Sequence, residues 1–184
     1  MVSGEQRALR ARHLAERYPH AREVLELYAR AVLSKPEALR QLLIEHAPAA
    51  LAEAAREKRE PAVSFMERLH ARVCTSHTPL LGVLRPEGDG AAFLLFCDTC
   101  KEEYSFPREA CPHCEAGEIA WYKNETIPHI QTRVCESCRR YLQVIDMGRE
   151  PRAVAEVDEL VALPMDLWAV EHGLEKTPPN LAGV

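Results

Sequence analysis

The chain has 184 residues, 47% of them hydrophobic and 28% charged, with 8 glycines and no long biased tract, a balance that excludes fibrous and largely disordered proteins. That length holds one ordinary domain, or a modest helical domain beside a small metal-organised one. The net charge of -5 and pI near 5.9 oppose general nucleic-acid binding, because neutralising phosphates with Lys and Arg dominates that affinity.

The opening residues Met1-Val-Ser-Gly-Glu-Gln-Arg7 contain no apolar stretch of signal-peptide type, and no apolar run approaches the roughly 20 residues that cross a bilayer. A cytoplasmic protein without membrane insertion is expected. From Ser3 to His70 apolar residues recur at helical spacing, as in Leu25, Tyr28, Ala29 and Val32. Pro19 and Pro36 punctuate the segment, and Ser34 with Pro36 reads as a helix start. Further helices are predicted from Ala49 to about Lys58 and from about Pro61 to Ala71, so that residues 1-72 form a small bundle of four or five helices.

At Val73 helix formers give way to β-branched residues, turns and cysteines. A metal-ribbon domain is predicted over 73-148, divided into 73-104 and 108-148, and residues 149-184 are expected to add a C-terminal helix and tail. Leu81 to Leu84 and Phe93 to Phe96 read as a hairpin whose Asp89-Gly90 turn supplies a positive-φ position. Ile119 to Tyr122 and Ile130 to Val134 suggest a second hairpin, and Tyr141 to Asp146 a further strand. Beyond Arg149 the pattern is helical again: Leu160, Leu163, Leu167 and Trp168 form an expected core face, Pro164 interrupts or restarts the helix, and Asp158 and Glu159 suit its positive end. From Pro178 an extended tail is predicted.

Seven cysteines cannot all pair within one chain, and a reducing cytosol disfavours disulfides, so closely spaced cysteines point to metal. The candidates are Cys74-x-x-His77, Cys97-x-x-Cys100, Cys111-x-x-Cys114 and Cys135-x-x-Cys138. A two-residue gap lets one knuckle aim two donors at one ion, and two knuckles complete a tetrahedron. Eight donors can be divided in tandem, as a cross-brace, or nested. The 19 residues between the first two pairs and the 20 between the last two favour a tandem of two ribbon units, one site from Cys74, His77, Cys97 and Cys100, the other from Cys111, Cys114, Cys135 and Cys138.

His113 and His129 lack a Ser, Asp or Glu arrangement that would orient a catalytic base, so neither receives a catalytic role. Lys101, Arg108, Arg133, Arg139 and Arg140 cluster around the donors; four thiolates on a divalent ion leave a charge of -2, which such cations balance, and a partner-docking patch is the second reading.

The cysteine pairs followed by Cys135-Glu-Ser-Cys-Arg-Arg-Tyr-Leu-Gln-Val-Ile-Asp146 and Val157-Asp-Glu-Leu-Val-Ala-Leu-Pro-Met-Asp-Leu-Trp168 resemble the formate dehydrogenase accessory protein family. So do Gly82-Val-Leu-Arg-Pro-Glu-Gly-Asp-Gly90 and, near the start, Pro19 to Arg30. The resemblance implies an α+β chain: a small N-terminal helical bundle followed by tandem rubredoxin-like/zinc-ribbon modules and a C-terminal helix. It also implies a cytoplasmic, non-enzymatic maturation factor whose partner is the catalytic subunit of a molybdenum- or tungsten-dependent formate dehydrogenase. Where the family has Cys-x-x-Cys in its first pair, this chain has Cys74-x-x-His77, and its helical region is shorter. The expected cofactors are two metal ions, zinc or iron, with zinc favoured by the imidazole donor. Other readings are a thiol or iron redox protein and a nucleic-acid-binding zinc ribbon; nucleic acid is not expected as a partner, and self-association is open.

Overall fold

The structure, a computed structural model, describes residues 2–59, 62–69, 74, 77–97 and 99–176. The boundary expected at 71–73 and the tail expected from Pro178 lie outside the described residues.

Five helices come first: α1 (Gly4–Arg17), α2 (Arg22–Ala31), α3 (Pro36–His46), α4 (Ala49–Glu57) and α5 (Ala62–Arg68). A reciprocal capping box starts α1: the Gln6 backbone N–H donates to Ser3 Oγ at 3.2 Å, and the Ser3 N–H donates to Gln6 Oε1 at 2.9 Å. The stripe Leu25, Tyr28, Ala29 and Val32 is buried, as its spacing implies. Pro36 opens α3, but Ser34 lies in the turn that follows α2, its hydroxyl donating back to the Arg30 carbonyl at 2.8 Å. Lys35, with extended backbone, occupies the cap position instead.

Seven strands follow in one sheet: β1 (Pro79–Glu87), β2 (Gly90–Cys97), β3 (Glu103–Ser105), β4 (Ile119–Lys123), β5 (Ile130–Cys135), β6 (Arg140–Asp146) and β7 (Glu175–Lys176). The order β3-β2-β1-β6-β5-β4 consists of two antiparallel meanders, β1-β2-β3 and β4-β5-β6. A parallel pairing of β1 with β6 joins them, with Gly82, Val83 and Leu84 opposite Val144, Ile145 and Asp146. The two ribbon units thus share one continuous sheet. In the first hairpin Glu87 pairs with Gly90, so Gly88-Asp89 is the loop, and the positive φ of +54° falls on Gly88 rather than on the Asp89-Gly90 step. Glycine at the first loop position is what a type II′ two-residue turn requires.

One face of the sheet contributes Leu81, Val83, Phe96, Ile130 and Ile145 to a cluster that includes the helical side chains Leu14, Leu25 and Leu43. The opposite face carries a smaller cluster of Leu84, Phe93, Leu95, Leu142 and Val144 under Tyr104, Phe106 and Trp121. The C-terminal helical segment is broken into α6 (Ala155–Asp158), a 3-10 turn over Glu159–Ala162, and α7 (Leu163–Glu171), with Pro164 in the first turn of the last. Here one expectation fails: Leu167 is 52% exposed instead of facing the core. Asp158, in the first turn of α6 and accepting from the Val154 N–H at 2.8 Å, and Glu159, which opens the 3-10 turn, are fully buried. Burial is tolerated because cations meet them: Arg10 reaches Asp158 at 2.9 Å and Lys176 reaches Glu159 at 2.9 Å.

Candidate metal centres

The structure brings all eight candidate donors together in two groups, Cys74, His77, Cys97, Cys100 and Cys111, Cys114, Cys135, Cys138, with the donor atoms of each group within 4.8 Å of one another. In both groups the hairpin between the donor pairs folds back so that its second strand delivers a buried cysteine: β2 ends at Cys97 and β5 at Cys135. The tandem division is the one present, and the cross-braced and nested divisions are not.

Three pairs share one local geometry. The residue after the second cysteine has a left-handed backbone in each, Lys101 at φ 61°, Glu115 at 61° and Arg139 at 60°. Its N–H donates back to the carbonyl of the first cysteine, at 3.1 Å to Cys97, 2.9 Å to Cys111 and 2.9 Å to Cys135. That closure turns both sulfurs to the same side. None of these positions is glycine, so the knuckles carry backbone strain that a side-chain-free residue would relieve. Cys74-x-x-His77 is different: its donors lie in the connection between α5 and β1, and Thr78, after the second donor, is not left-handed.

The spacings fit a tetrahedral ion. Zinc–sulfur bonds of about 2.3 Å put two sulfurs of a tetrahedron about 3.8 Å apart and an imidazole nitrogen about 3.6 Å from a sulfur. Cys74 and Cys97 sulfurs are 3.8 Å apart, and His77 Nδ1 lies 3.7 Å from Cys74 Sγ and 3.5 Å from Cys100 Sγ. In the second group Cys111 and Cys138 are 3.7 Å apart, and Cys114 and Cys135 3.6 Å. A disulfide would need about 2.05 Å. The two clusters could therefore each hold a metal ion. Each cluster has one exposed donor, His77 in the first and Cys114 in the second, while Cys97, Cys111 and Cys135 are buried and Cys74 in the first pair is only half-buried.

Burial opposes ionisation of Cys97, but the N–H groups of Cys100 and Thr99 and the His77 ring outweigh it and bring the thiol down to about 6. Cys135 is likewise drawn down to about 7 against its burial, by the Cys138 N–H and the neighbouring thiols. In each group another thiol moves the other way, burial and the neighbouring thiols pushing Cys74 up to about 11 and Cys138 up to about 12, so that Cys97 and Cys135 are the thiols that ionise first and the remaining protons leave as a metal is taken.

The basic residues clustered in sequence disperse in the fold. Arg133 is buried beneath the second group, donating to the carbonyls of Arg108 and Ala110 at 3.0 and 2.5 Å and lying 5.1 Å from the Phe93 ring centroid. Burial draws its guanidinium pKa down, and the Cys111 and Cys135 thiols partly offset that. Lys101 lies 3.4 Å from Glu156, which Arg7 also contacts at 2.8 Å. Arg139 donates to the His172 carbonyl at 2.6 Å, and Arg140 faces His113 and Glu175. His113 is exposed, as a knuckle side chain should be. His129 sits in the turn before β5 but is 3% exposed, and its ring lies 3.1 Å from Asp158, an acidic partner 29 positions away that the sequence pattern did not show.

Sequence reasoning did not single out Tyr104, whose ring stacks on His77, or the buried Glu156, Asp166 and Lys176. A cavity of about 610 Å³ opens near the first group, lined by Arg7, Arg85, Phe96, Lys101, Met147 and Glu156 among others. Among the described residues no helix is long and apolar enough to cross a membrane.

Residues 110–182 match the family described as FdhE, C-terminal domain. The chain is 25% identical over 114 residues to the protein FdhE homolog of Aquifex aeolicus (strain VF5), a match covering 60% of this chain and 40% of that protein. It is also 25% identical over 116 residues to protein FdhE of Escherichia coli O1:K1 / APEC, covering 62% and 37% respectively. The matched stretch spans about two fifths of the length of those relatives. Among solved structures, the FdhE protein from Pseudomonas aeruginosa matches with a TM-score of 0.68 at 19% identity, over 97% of this chain and 94% of that one. At that identity the likeness establishes the shared fold alone, a mixed α+β arrangement of N-terminal helices, a sheet and a C-terminal helix.

Proposed function

We propose that this is an FdhE-type chain, a formate dehydrogenase accessory protein that binds the catalytic subunit of that enzyme and assists its assembly without being a catalyst itself; the family match over residues 110–182 and the likeness to FdhE proteins support this reading. The observation that carries this reading is the closure of eight donors into two four-donor groups on one sheet. Cys74, His77, Cys97, Cys100 and Cys111, Cys114, Cys135, Cys138 are the proposed ligands of two ions. Four protein donors fill a tetrahedral zinc, leaving no position for substrate, whereas catalytic zinc keeps one open. The metals then supply folding free energy, rigidifying a surface that recognises a client.

Zinc is favoured at the first site because an imidazole joins three thiolates there, and the same ion suits the all-cysteine second site. The chain is proposed to work in the cytoplasm, where thiols stay reduced.

The test is co-purification: the tagged, metal-loaded chain is incubated with extract from its host, and bound proteins are identified. Recovery of a formate dehydrogenase catalytic subunit, lost when the metals are stripped and regained on reloading, is the expected result. Failure to recover that subunit from an extract that contains it would overturn the client assignment. Iron with reversible reduction in the native protein would instead support a redox role.

A further inference from the structure

The first donor group has a problem the second lacks: its histidine is exposed and belongs to the one pair without the left-handed knuckle closure. An imidazole on such a segment can rotate, and a nitrogen that leaves the tetrahedron forfeits the fourth bond. Ligating histidines are ordinarily held by an outer contact that fixes ring orientation.

Tyr104 occupies that role's position. Its ring stacks on the His77 imidazole, with centroids 4.7 Å apart and planes 29° from parallel. Its hydroxyl donates to the His77 carbonyl at 3.3 Å, so the same side chain touches both ring and backbone of the donor. In this arrangement Nδ1 faces the Cys74 and Cys100 sulfurs, at 3.7 and 3.5 Å. Tyr104 is itself well placed to act as a wall: it pairs with Leu95 in the β2–β3 ladder, and its half-buried ring packs on the cluster containing Leu84, Phe93 and Leu95. The Cys97 knuckle fixes the same register, since the Cys97 N–H donates to the Glu102 carbonyl at 2.8 Å. The rigid pair of strands that delivers two thiols therefore also delivers the clamp for the imidazole.

We infer that Tyr104 is the positioning residue of the first metal site, holding the His77 ring so that Nδ1 completes the donor set. The inference rests on the metal-binding reading above. Its consequence is specific to histidine: a thiolate at position 77 would have no ring to orient and would not depend on Tyr104.

The experiment is cobalt(II) titration of the full chain, following thiolate charge-transfer and ligand-field absorption, with zinc competition for relative affinities. In the parent chain two ions are expected, one in a three-sulfur, one-nitrogen environment and one in a four-sulfur environment. Tyr104→Phe keeps the stacked ring and is expected to hold cobalt within about threefold of the parent. Tyr104→Leu removes it and is expected to weaken the first site by about 10- to 100-fold, as loss of an outer-shell partner does, while uptake at the second site reports an intact fold. In a His77→Cys background, Tyr104→Leu is expected to leave the first site unchanged. A loss in that background equal to the loss beside His77 would make Tyr104 merely structural and overturn the inference, as would full affinity in Tyr104→Leu itself. Uptake of only one ion by the parent chain would instead overturn the metal-binding reading of the first site.

Discussion

Gly82 on β1 and Val144 on β6 face each other across the parallel pairing that fuses the two ribbon units, and a Cβ at Gly82 would stand 3.0 Å from Val144 Cγ2 and 2.7 Å from Phe93 Cε2. No side chain fits there without displacing a neighbour. Phe93 is buried, with its ring edge-on to Trp121 at a centroid distance of 6.1 Å and Arg133 above it, so it has little room to move. Gly82→Ala is therefore expected to destabilise the chain by about 1–3 kcal/mol, the range for overpacking a closed core. Urea denaturation of the metal-loaded protein measures it, and an unchanged midpoint would show that the seam has slack.

The knuckle strain predicts a gain. Glu115 is exposed and holds φ at 61° with only its backbone N–H engaged at the turn, donating to Cys111. Replacing it with glycine removes the left-handed penalty at the cost of extra freedom in the unfolded chain. Glu115→Gly is expected to stabilise by about 1 kcal/mol, or a melting shift of about 2–4 °C for a chain of this size. Lys101→Gly should not match it, because Lys101 also approaches the buried Glu156.

Acid should attack the joint between α1 and α6. Burial pushes the Asp158 carboxyl up, but His129, Arg10 and the Val154 N–H together hold it below its ordinary value of 3.8. A carboxyl whose folded pKa is depressed binds fewer protons folded than unfolded, so its stabilisation is complete above that ordinary range and is lost as pH falls through the folded pKa. Asp158→Asn is expected to cost about 3 kcal/mol at neutral pH, because it leaves Arg10, which is 7% exposed, with only Glu150 as a carboxylate neighbour, at 3.8 Å. Below pH 4 the difference between the two proteins should narrow. Paired denaturation curves across pH 2–6 on metal-free samples check this without interference from metal release; a constant difference would remove Asp158 from the account.

Metal stoichiometry separates the two sites. The parent chain is expected to hold two zinc ions, His77→Ala one, and Cys135→Ser one. Because Cys135 ends β5 at the centre of the second meander, its loss should lower thermal stability more than loss of the exposed His77. Elemental analysis and melting curves on the same samples give both answers, and equal destabilisation would contradict the asymmetry.

Much of the site was legible because its signals are local. A two-residue gap between donors, and hairpins of near-equal length between pairs, depend on neighbours in the chain, and both groups assembled along those lines. The helical stripe of Leu25, Tyr28, Ala29 and Val32 is local in the same sense. The misreadings of Ser34, of the Gly88-Asp89 loop and of Leu167 arose where two short-range patterns competed and one residue of register decided between them.

By itself, then, the sequence determined which eight side chains can meet in two groups, where the helices and hairpins lie, and that the chemistry is thiolate-based. Only the tertiary structure decided that β1 and β6 pair in parallel to make one sheet of two ribbons, that Tyr104 stands against His77, and that Asp158 is sealed against Arg10 across 148 positions of chain. The reason is physical. A charged residue looks the same in sequence whether solvated at a helix start or buried in an ion pair, and an aromatic gives no sign of which ring it will face. Those outcomes follow from which surfaces close on each other when apolar area leaves water, a choice made by the whole chain.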